Sequence, residues 1–205
     1  MIMELLDPVE ARVLGALMEK EITTPEYYPL SLNALVNAAN QKSNRDPVVD
    51  YDEDTVYDAV NRLREKRLSL LVTGSGRVNK FSQRISETLN LGRREMAVLC
   101  TLLLRGPQTL GEIKDRSERM FAFADLAETE AVLDKLGALV TKLARQPGQK
   151  EARYAHLLCG EPSVESSVVE PPVGRVAQLE KELQQLRSEF DELKRRFEAL
   201  EAQLR

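Results

Sequence analysis

The sequence has little of the side chains from which most metal sites and catalytic centres are built. Its 205 residues include one histidine, two cysteines and no tryptophan. A zinc site, a redox pair or a disulfide framework needs more histidine or cysteine than this, so no metal or cofactor is expected. Cys100 lies in the apolar run from Val98 to Leu104 and is expected to be a small buried side chain, and His156 is expected to be structural.

Long apolar runs and familiar catalytic motifs are also missing. No window approaches the roughly 20 apolar residues that a membrane-spanning helix needs, and the first eight residues lack the basic and apolar segments of a signal peptide. The motifs G-x-S-x-G, C-x-x-C and H-E-x-x-H and a glycine-rich phosphate loop are absent. The sequence therefore predicts a cytoplasmic, non-enzymatic protein that does not enter a membrane.

The first half of the chain has the pattern of three helices followed by a β-hairpin. Apolar residues recur at helical spacing in three segments, which are Pro8 to Lys20, Ser31 to Asn40 and Asp52 to Lys66. Two strand-like runs follow, Leu68–Thr73 and Arg77–Gln83, and Gly74-Ser75-Gly76 between them favours a tight turn. This order is typical of a winged-helix domain.

The second half repeats the pattern. Glu95 to Arg105 matches Glu10 to Lys20 at an offset of 85 positions. The remaining predicted elements are helices Thr109 to Ser117 and Asp125 to Leu139, and strands Val140–Arg145 and Arg153–Leu158. We therefore predict a mainly α protein with small β-hairpins, built as tandem winged-helix domains over residues 1–86 and 87–159, with a C-terminal coiled-coil helix after them.

The C-terminal segment carries a regular heptad pattern. Residues 160–174 are rich in proline and serine and are expected to form a linker, and residues 175–205 are expected to form the coiled coil. Apolar residues there alternate at spacings of three and four, which is the seam of a coiled coil. The predicted dimerisation residues are Val176, Leu179, Leu183, Leu186, Phe190, Leu193, Phe197, Leu200 and Leu204.

Charges beside this seam indicate the orientation of the partner helix. In a parallel, in-register pair the flanking contacts are Arg175–Glu180, Glu182–Arg187, Glu189–Lys194 and Arg196–Glu201. All four contacts join opposite charges, whereas the antiparallel arrangement would join like charges. The sequence predicts a parallel homodimer. A trimer and a helix folded back onto its own body stay open as alternatives.

Basic and amide side chains mark two regions as candidates for binding nucleic acid or a protein partner. On the hairpins these are Arg77, Lys80, Arg84, Arg145, Lys150 and Arg153. On the loop before the third helix they are Asn40, Gln41, Lys42, Asn44 and Arg45. Such groups bind phosphate oxygens or acidic protein surfaces. The loop residues could equally hydrogen-bond the loop to itself, and both interpretations are kept.

Acidic residues oppose the DNA interpretation. The third helix of the first half begins with Asp50, Asp52, Glu53 and Asp54, and its counterpart carries Asp125, Glu128 and Glu130. Carboxylates stabilise a helix N-terminus, but they also repel phosphates where a recognition helix enters the major groove. DNA binding or regulation through the basic hairpins and the loop is the leading hypothesis. A protein–protein adaptor that does not bind DNA is the alternative.

Four segments together resemble a known family. They are Thr23 to Asn33, Asn40 to Val48, Leu102 to Thr109 and Arg153 to Leu157. Through these four segments the chain resembles the YceH-like family of bacterial proteins from about Leu6 to Gly160. The resemblance implies tandem winged-helix domains with a coiled-coil-like tail, and it supplies no biochemical function. That family often has cysteine where this chain has Ala39, so a redox or metal role at that position does not apply here.

Overall fold

The computed structural model describes residues 4–73, 78–145 and 148–161, together with Lys194. These ranges lie, apart from Lys194, in one compact unit over residues 1–162. The predicted linker from residue 162 onward, the dimerisation residues and Arg77 lie outside the described residues. Within the described part the protein is mainly helical with two small antiparallel sheets. None of its helices there combines the length and the apolar content needed to cross a bilayer.

In the described residues, the first half contains four α-helices, a short 3-10 helix over Pro25–Tyr27 and a three-stranded sheet. Its elements are α1 Pro8–Thr23, β1 Leu30–Ser31, α2 Leu32–Ala39, α3 Glu53–Glu65, β2 Ser69–Val72, β3 Lys80–Gln83 and α4 Ile85–Thr88. The strand order is β1-β3-β2, and both pairings are antiparallel. The three predicted helices and the antiparallel pairing of the two predicted strands are confirmed, with the second strand starting at Lys80, and the predicted turn Gly74-Ser75-Gly76 lies outside the described residues. The structure adds the two-residue strand β1 and the single turn α4.

Among its described residues, the second half repeats the order of α-helices and strands without a counterpart of α4. Its elements are α5 Arg93–Arg105, β4 Gln108–Thr109, α6 Leu110–Ser117, α7 Leu126–Leu136, β5 Val140–Lys142 and β6 Arg153–His156. The strand order β4-β6-β5 repeats that of the first sheet. Helix α7 ends before the predicted Leu139 because Gly137 has a φ of 50°, a left-handed conformation that favours glycine.

Polar side chains at the helix starts explain where the helices begin. Asp7 accepts a hydrogen bond from the backbone N–H of Glu10, and Ser31 caps α2 in the same way. Asp52 accepts from the N–H of Thr55, and hydrogen bonding to Thr55, first to its side chain and then to its N–H, lowers the pKa of Asp52. Thr109 and Asp125 cap α6 and α7. Part of the acidic charge at the third helices therefore serves capping, as the sequence suggested.

Equivalent buried carboxylates tie the first helix of each half to the third. Glu10 on α1 is buried and accepts hydrogen bonds from Arg62 and Lys66 at the end of α3, at 3.1 Å and 2.7 Å. At the repeated position on α5, Glu95 accepts from Lys135 at the end of α7, at 2.5 Å. This hydrogen bond lowers the pKa of Glu95. The internal repeat thus preserves an ionic contact as well as an apolar pattern.

Helices α1 and α5 pack against each other and join the two halves into one core. Gly15 allows the close approach, because a Cβ there would lie 2.9 Å from Cδ2 of Leu104. The thiol of Cys100 donates to the carbonyl oxygen of Gly15 at 3.4 Å. Cys100 is fully buried, which confirms the prediction, and burial raises the pKa of its thiol.

Candidate functional site

Arg45 lies inside the protein and is fully engaged there. Its guanidinium group is paired with the carboxylate of Glu19, at 3.2 Å and 2.6 Å, and donates to the carbonyl oxygen of Ala38 from Nε and Nη2. It also donates to the carbonyl oxygen of Asn44 and to Oε1 of Gln41. Its side chain has no exposed surface. Arg45 therefore holds the loop against α1 and α2 and offers no donor to an external ligand.

The other loop residues divide into bonded and exposed groups. Asn40 donates to the carbonyl oxygen of Tyr51 at 2.7 Å and accepts from its N–H at 2.9 Å, so its amide holds the two ends of the loop together. The Oδ1 atom of Asn44 accepts from Arg105 on α5. Lys42 is exposed. Of the five predicted loop residues, Lys42 is the one whose side chain makes no hydrogen bond or ion pair within the described residues.

A second buried arginine supports the loop, and this role was not predicted from the sequence. Arg12 on α1 donates to the carbonyl oxygen of Pro47 at 2.6 Å and to that of Ala39 at 3.4 Å. Burial, together with the nearby charge of Arg45, lowers the pKa of its guanidinium. A signal for this role does exist in the sequence. Ala97 occupies the corresponding position of the second half, so Arg12 interrupts the repeat.

The hairpin cations also differ in their availability. Arg153 donates to the carbonyl oxygen of Pro107 at 2.8 Å and pairs with Glu112 at 3.4 Å. Arg84 pairs with Glu87 at 3.5 Å. Lys80, Arg145 and Lys150 are exposed. The structure thus leaves exposed cations on both hairpins, although the residues at the tips, 74–77 and 146–147, are outside the described part.

The outward face of α3 is acidic and carries an aromatic side chain. Its inward face is Val56, Ala59, Val60 and Leu63, all fully buried, as the helical spacing predicts. On the opposite side Asp54, Tyr57 and Asp58 are exposed, and Tyr57 retains 45% of its surface. Residues three and four apart lie together on a helix surface. We call Asp54, Tyr57 and Asp58 the acidic face of α3.

Comparison with known proteins gives the chain its family. Residues 6–149 match the family described as "Protein of unknown function, DUF480". The chain belongs to this family. It is 52% identical over 202 residues to a UPF0502 protein of Solibacter usitatus, covering 94% of this chain and 98% of the relative. It is 53% identical over 206 residues to a UPF0502 protein of Pelobacter propionicus, covering 93% and 94%.

The DUF480 match bears on the resemblance noted in the sequence. It confirms a family of bacterial proteins without an assigned function, whereas the narrower YceH-like name stays a prediction. The matched residues include the loop, the acidic face of α3 and helix α7. They end before strand β6, which contains His156.

The burial of His156 predicts a pH dependence of stability for this DUF480 protein. Its Nδ1 atom is buried and makes no hydrogen bond to the described residues. Burial lowers the pKa of His156 from an ordinary value of 6.5 to about 4. Below pH 6.5 the unfolded chain therefore binds a proton that the folded chain does not, and stability falls as the pH drops toward the folded-state pKa.

We expect the free energy of unfolding to decrease by about 2 kcal/mol between about pH 7.5 and pH 5 through this one group. Urea unfolding of the wild type and of His156→Leu at both pH values measures the contribution. His156 is the only histidine in the sequence, so the difference between the two proteins isolates it. An equal pH dependence in the variant would contradict the assignment.

Proposed function

We propose that this chain is a non-enzymatic, cytoplasmic adaptor in which two winged-helix domains bind a protein partner. Each half has three helices and a hairpin in the winged-helix order, and a short first strand completes each three-stranded sheet. The heptad pattern of residues 175–205 supports a parallel coiled coil that joins two copies. Two copies would present each binding face twice and so raise avidity.

The observation that carries protein binding is the acidic face of α3. In a winged helix this is the helix that normally enters the major groove of DNA. Asp54 and Asp58 would there approach phosphates of the same charge, which costs about 1 kcal/mol per contact at 4 Å even in bulk water. An exposed tyrosine between carboxylates suits a basic protein surface, because tyrosine is enriched at protein interfaces.

The loop supports the same preference. The sequence left two interpretations of its donors open, external binding and internal hydrogen bonding. Arg45 and Asn40 are engaged within the protein, so two of its strongest donors do not contribute to a DNA surface. With these groups engaged, the DNA hypothesis rests on the hairpins and on Lys42 of the loop, which is exposed, and protein binding becomes the better supported function.

Reversal of charge on α3 tests the proposal. We expect full-length wild type to retain a specific partner from nuclease-treated cytosol, and Asp54→Lys with Asp58→Lys to lose it. The control is Asp115→Lys with Glu118→Lys, two exposed acidic residues elsewhere, which changes net charge equally. Quantitative mass spectrometry of the retained proteins gives the readout. A partner that both double variants retain, or that both lose, would refute a binding role for the acidic face of α3.

DNA binding remains the second candidate because Lys80, Arg145 and Lys150 are exposed on the hairpins. It predicts an affinity that falls steeply with salt. The slope should decrease by about one for each phosphate contact removed, so Lys80→Ala with Lys150→Ala should lower it by about two. Weak binding with an unchanged slope in this variant would leave the adaptor as the supported function.

The coiled-coil proposal is tested by deletion of residues 175–205. We expect light scattering to give a dimer for the full-length chain and a folded monomer for the truncated one, because the heptad seam is then lost. Circular dichroism verifies that the shortened protein keeps its helices. A monomeric full-length chain would favour the alternative in which the C-terminal helix folds back.

A further inference from the structure

Three arginines line a cleft where the two halves meet. Arg105 comes from the end of α5, Arg116 from α6 and Arg119 from the turn that follows α6. Glu19 on α1 and Asn44 on the loop form the opposite side. The cleft is small and opens to solvent at its mouth. It contains none of the residues of the acidic face of α3, so it is separate from the surface proposed for the protein partner.

The carboxylates nearby do not neutralise these arginines. Among the described residues that line the cleft, Glu19 is the one acidic side chain, and Arg45 takes both of its oxygens. Outside the lining, Glu112 is divided between Arg116 at 3.3 Å and Arg153 at 3.4 Å. The cleft therefore retains excess positive charge.

The guanidinium groups also retain N–H donors whose hydrogen bonds no described residue accepts. Arg105 is partly buried, and its side chain makes one hydrogen bond within the described part, to Oδ1 of Asn44. Arg119 is exposed and makes none there. Burial, followed by the charges of Arg116 and Arg45, lowers the pKa of Arg105, and the charges of Glu19 and Asp46 oppose this shift without cancelling it. An anion in the cleft would offset these positive charges and satisfy the unused donors.

We propose that this cleft binds a phosphate group, either as free phosphate or as the phosphate of a small phosphorylated molecule. Arginine forks match the oxygen geometry of phosphate, and a dianion offsets more of the excess charge than a single carboxylate can. All three arginines belong to the second half, and Glu19 and Asn44 of the first half border the cleft.

Calorimetric titration of the full-length chain at constant ionic strength tests the site. The probes are inorganic phosphate and ribose 5-phosphate, each added to the wild type, Arg105→Gln and Arg119→Gln. We expect one saturable site per chain, weakened about tenfold or more by each substitution, because each removes a charge-assisted hydrogen bond. Arg64→Gln, which changes an exposed arginine on α3, is the matched control and should bind as the wild type does.

The variants distinguish a lost site from a lost fold. Arg105 also bonds to Asn44, so its substitution could act through the loop, whereas Arg119 has no such contact in the described part. Equal affinity for both probes supports a free phosphate site, and tighter ribose 5-phosphate binding supports a phosphorylated small molecule. The proposal is overturned if no saturable binding occurs, or if Arg119→Gln and Arg105→Gln bind like the wild type. Tighter binding of a DNA duplex that the same substitutions abolish would also overturn it.

Discussion

Replacing Arg45 with methionine is expected to lower the free energy of unfolding by about 3–5 kcal/mol. The substitution removes the partner of Glu19, whose side chain is only 12% exposed, and leaves that carboxylate with a more distant contact to Lys20 at 3.8 Å. It also removes the hydrogen bonds that hold the carbonyl oxygens of Ala38 and Asn44. Removal of one partner of a buried ion pair lowers the free energy of unfolding by more than the intact pair contributes, because the remaining charge stays desolvated.

Urea unfolding monitored by circular dichroism measures this loss. Lys42→Ala provides the control, because Lys42 lies exposed on the same loop and its substitution should change stability by no more than about 0.5 kcal/mol. The double variant Glu19→Gln with Arg45→Met should recover part of the loss, since it leaves no unpaired charge. A loss below about 1 kcal/mol in Arg45→Met would show that the ion pair does not hold the loop.

Glu10→Gln is expected to lower the free energy of unfolding by about 3 kcal/mol, and Glu95→Gln by about 1 kcal/mol. Glutamine keeps the shape of glutamate, so the change isolates the charge. Glu10 accepts from Arg62, Lys66 and the N–H of Asp7, and its side chain is 1% exposed. Glu95 pairs with Lys135, which is itself 71% exposed and therefore more strongly screened by solvent.

Both variants are compared by urea unfolding under identical conditions at neutral pH. The internal repeat makes each position the control for the other, because the two glutamates occupy equivalent sites on α1 and α5. Equal losses of unfolding free energy in the two variants, or a larger loss in Glu95→Gln, would contradict the prediction. Either result would show that the number of paired cations and the depth of burial do not determine the size of the loss.

Local features of the fold were predictable because they depend on neighbours in sequence. Helical spacing correctly placed Val56, Ala59, Val60 and Leu63 on the buried face of α3. Asp52 and Asp125 cap helices, as acidic residues before an apolar pattern suggest. The two-residue strands β1 and β4 were not predictable, because a pair of residues carries no periodicity.

The candidate site was harder to predict because burial of a charge depends on distant partners. Arg45 stands in a polar loop and looks exposed in the sequence, yet its carboxylate partner Glu19 lies 26 positions away on α1. The arginine cleft combines residues from both halves, and no spacing rule brings Arg105 and Arg119 to Asn44. The acidity of α3 was visible from the start, but the exposure of Tyr57 depends on how that helix packs.

The missing Cβ of Gly15 has a consequence for how the protein unfolds. Because Gly15 has no Cβ, α1 and α5 pack closely and share one interior, in which leucines such as Leu14 and Leu102 are fully buried. Neither half can lose its first helix without exposing apolar surface of the other. The two repeats therefore form a single cooperative unit, and a substitution in one half changes the stability of both.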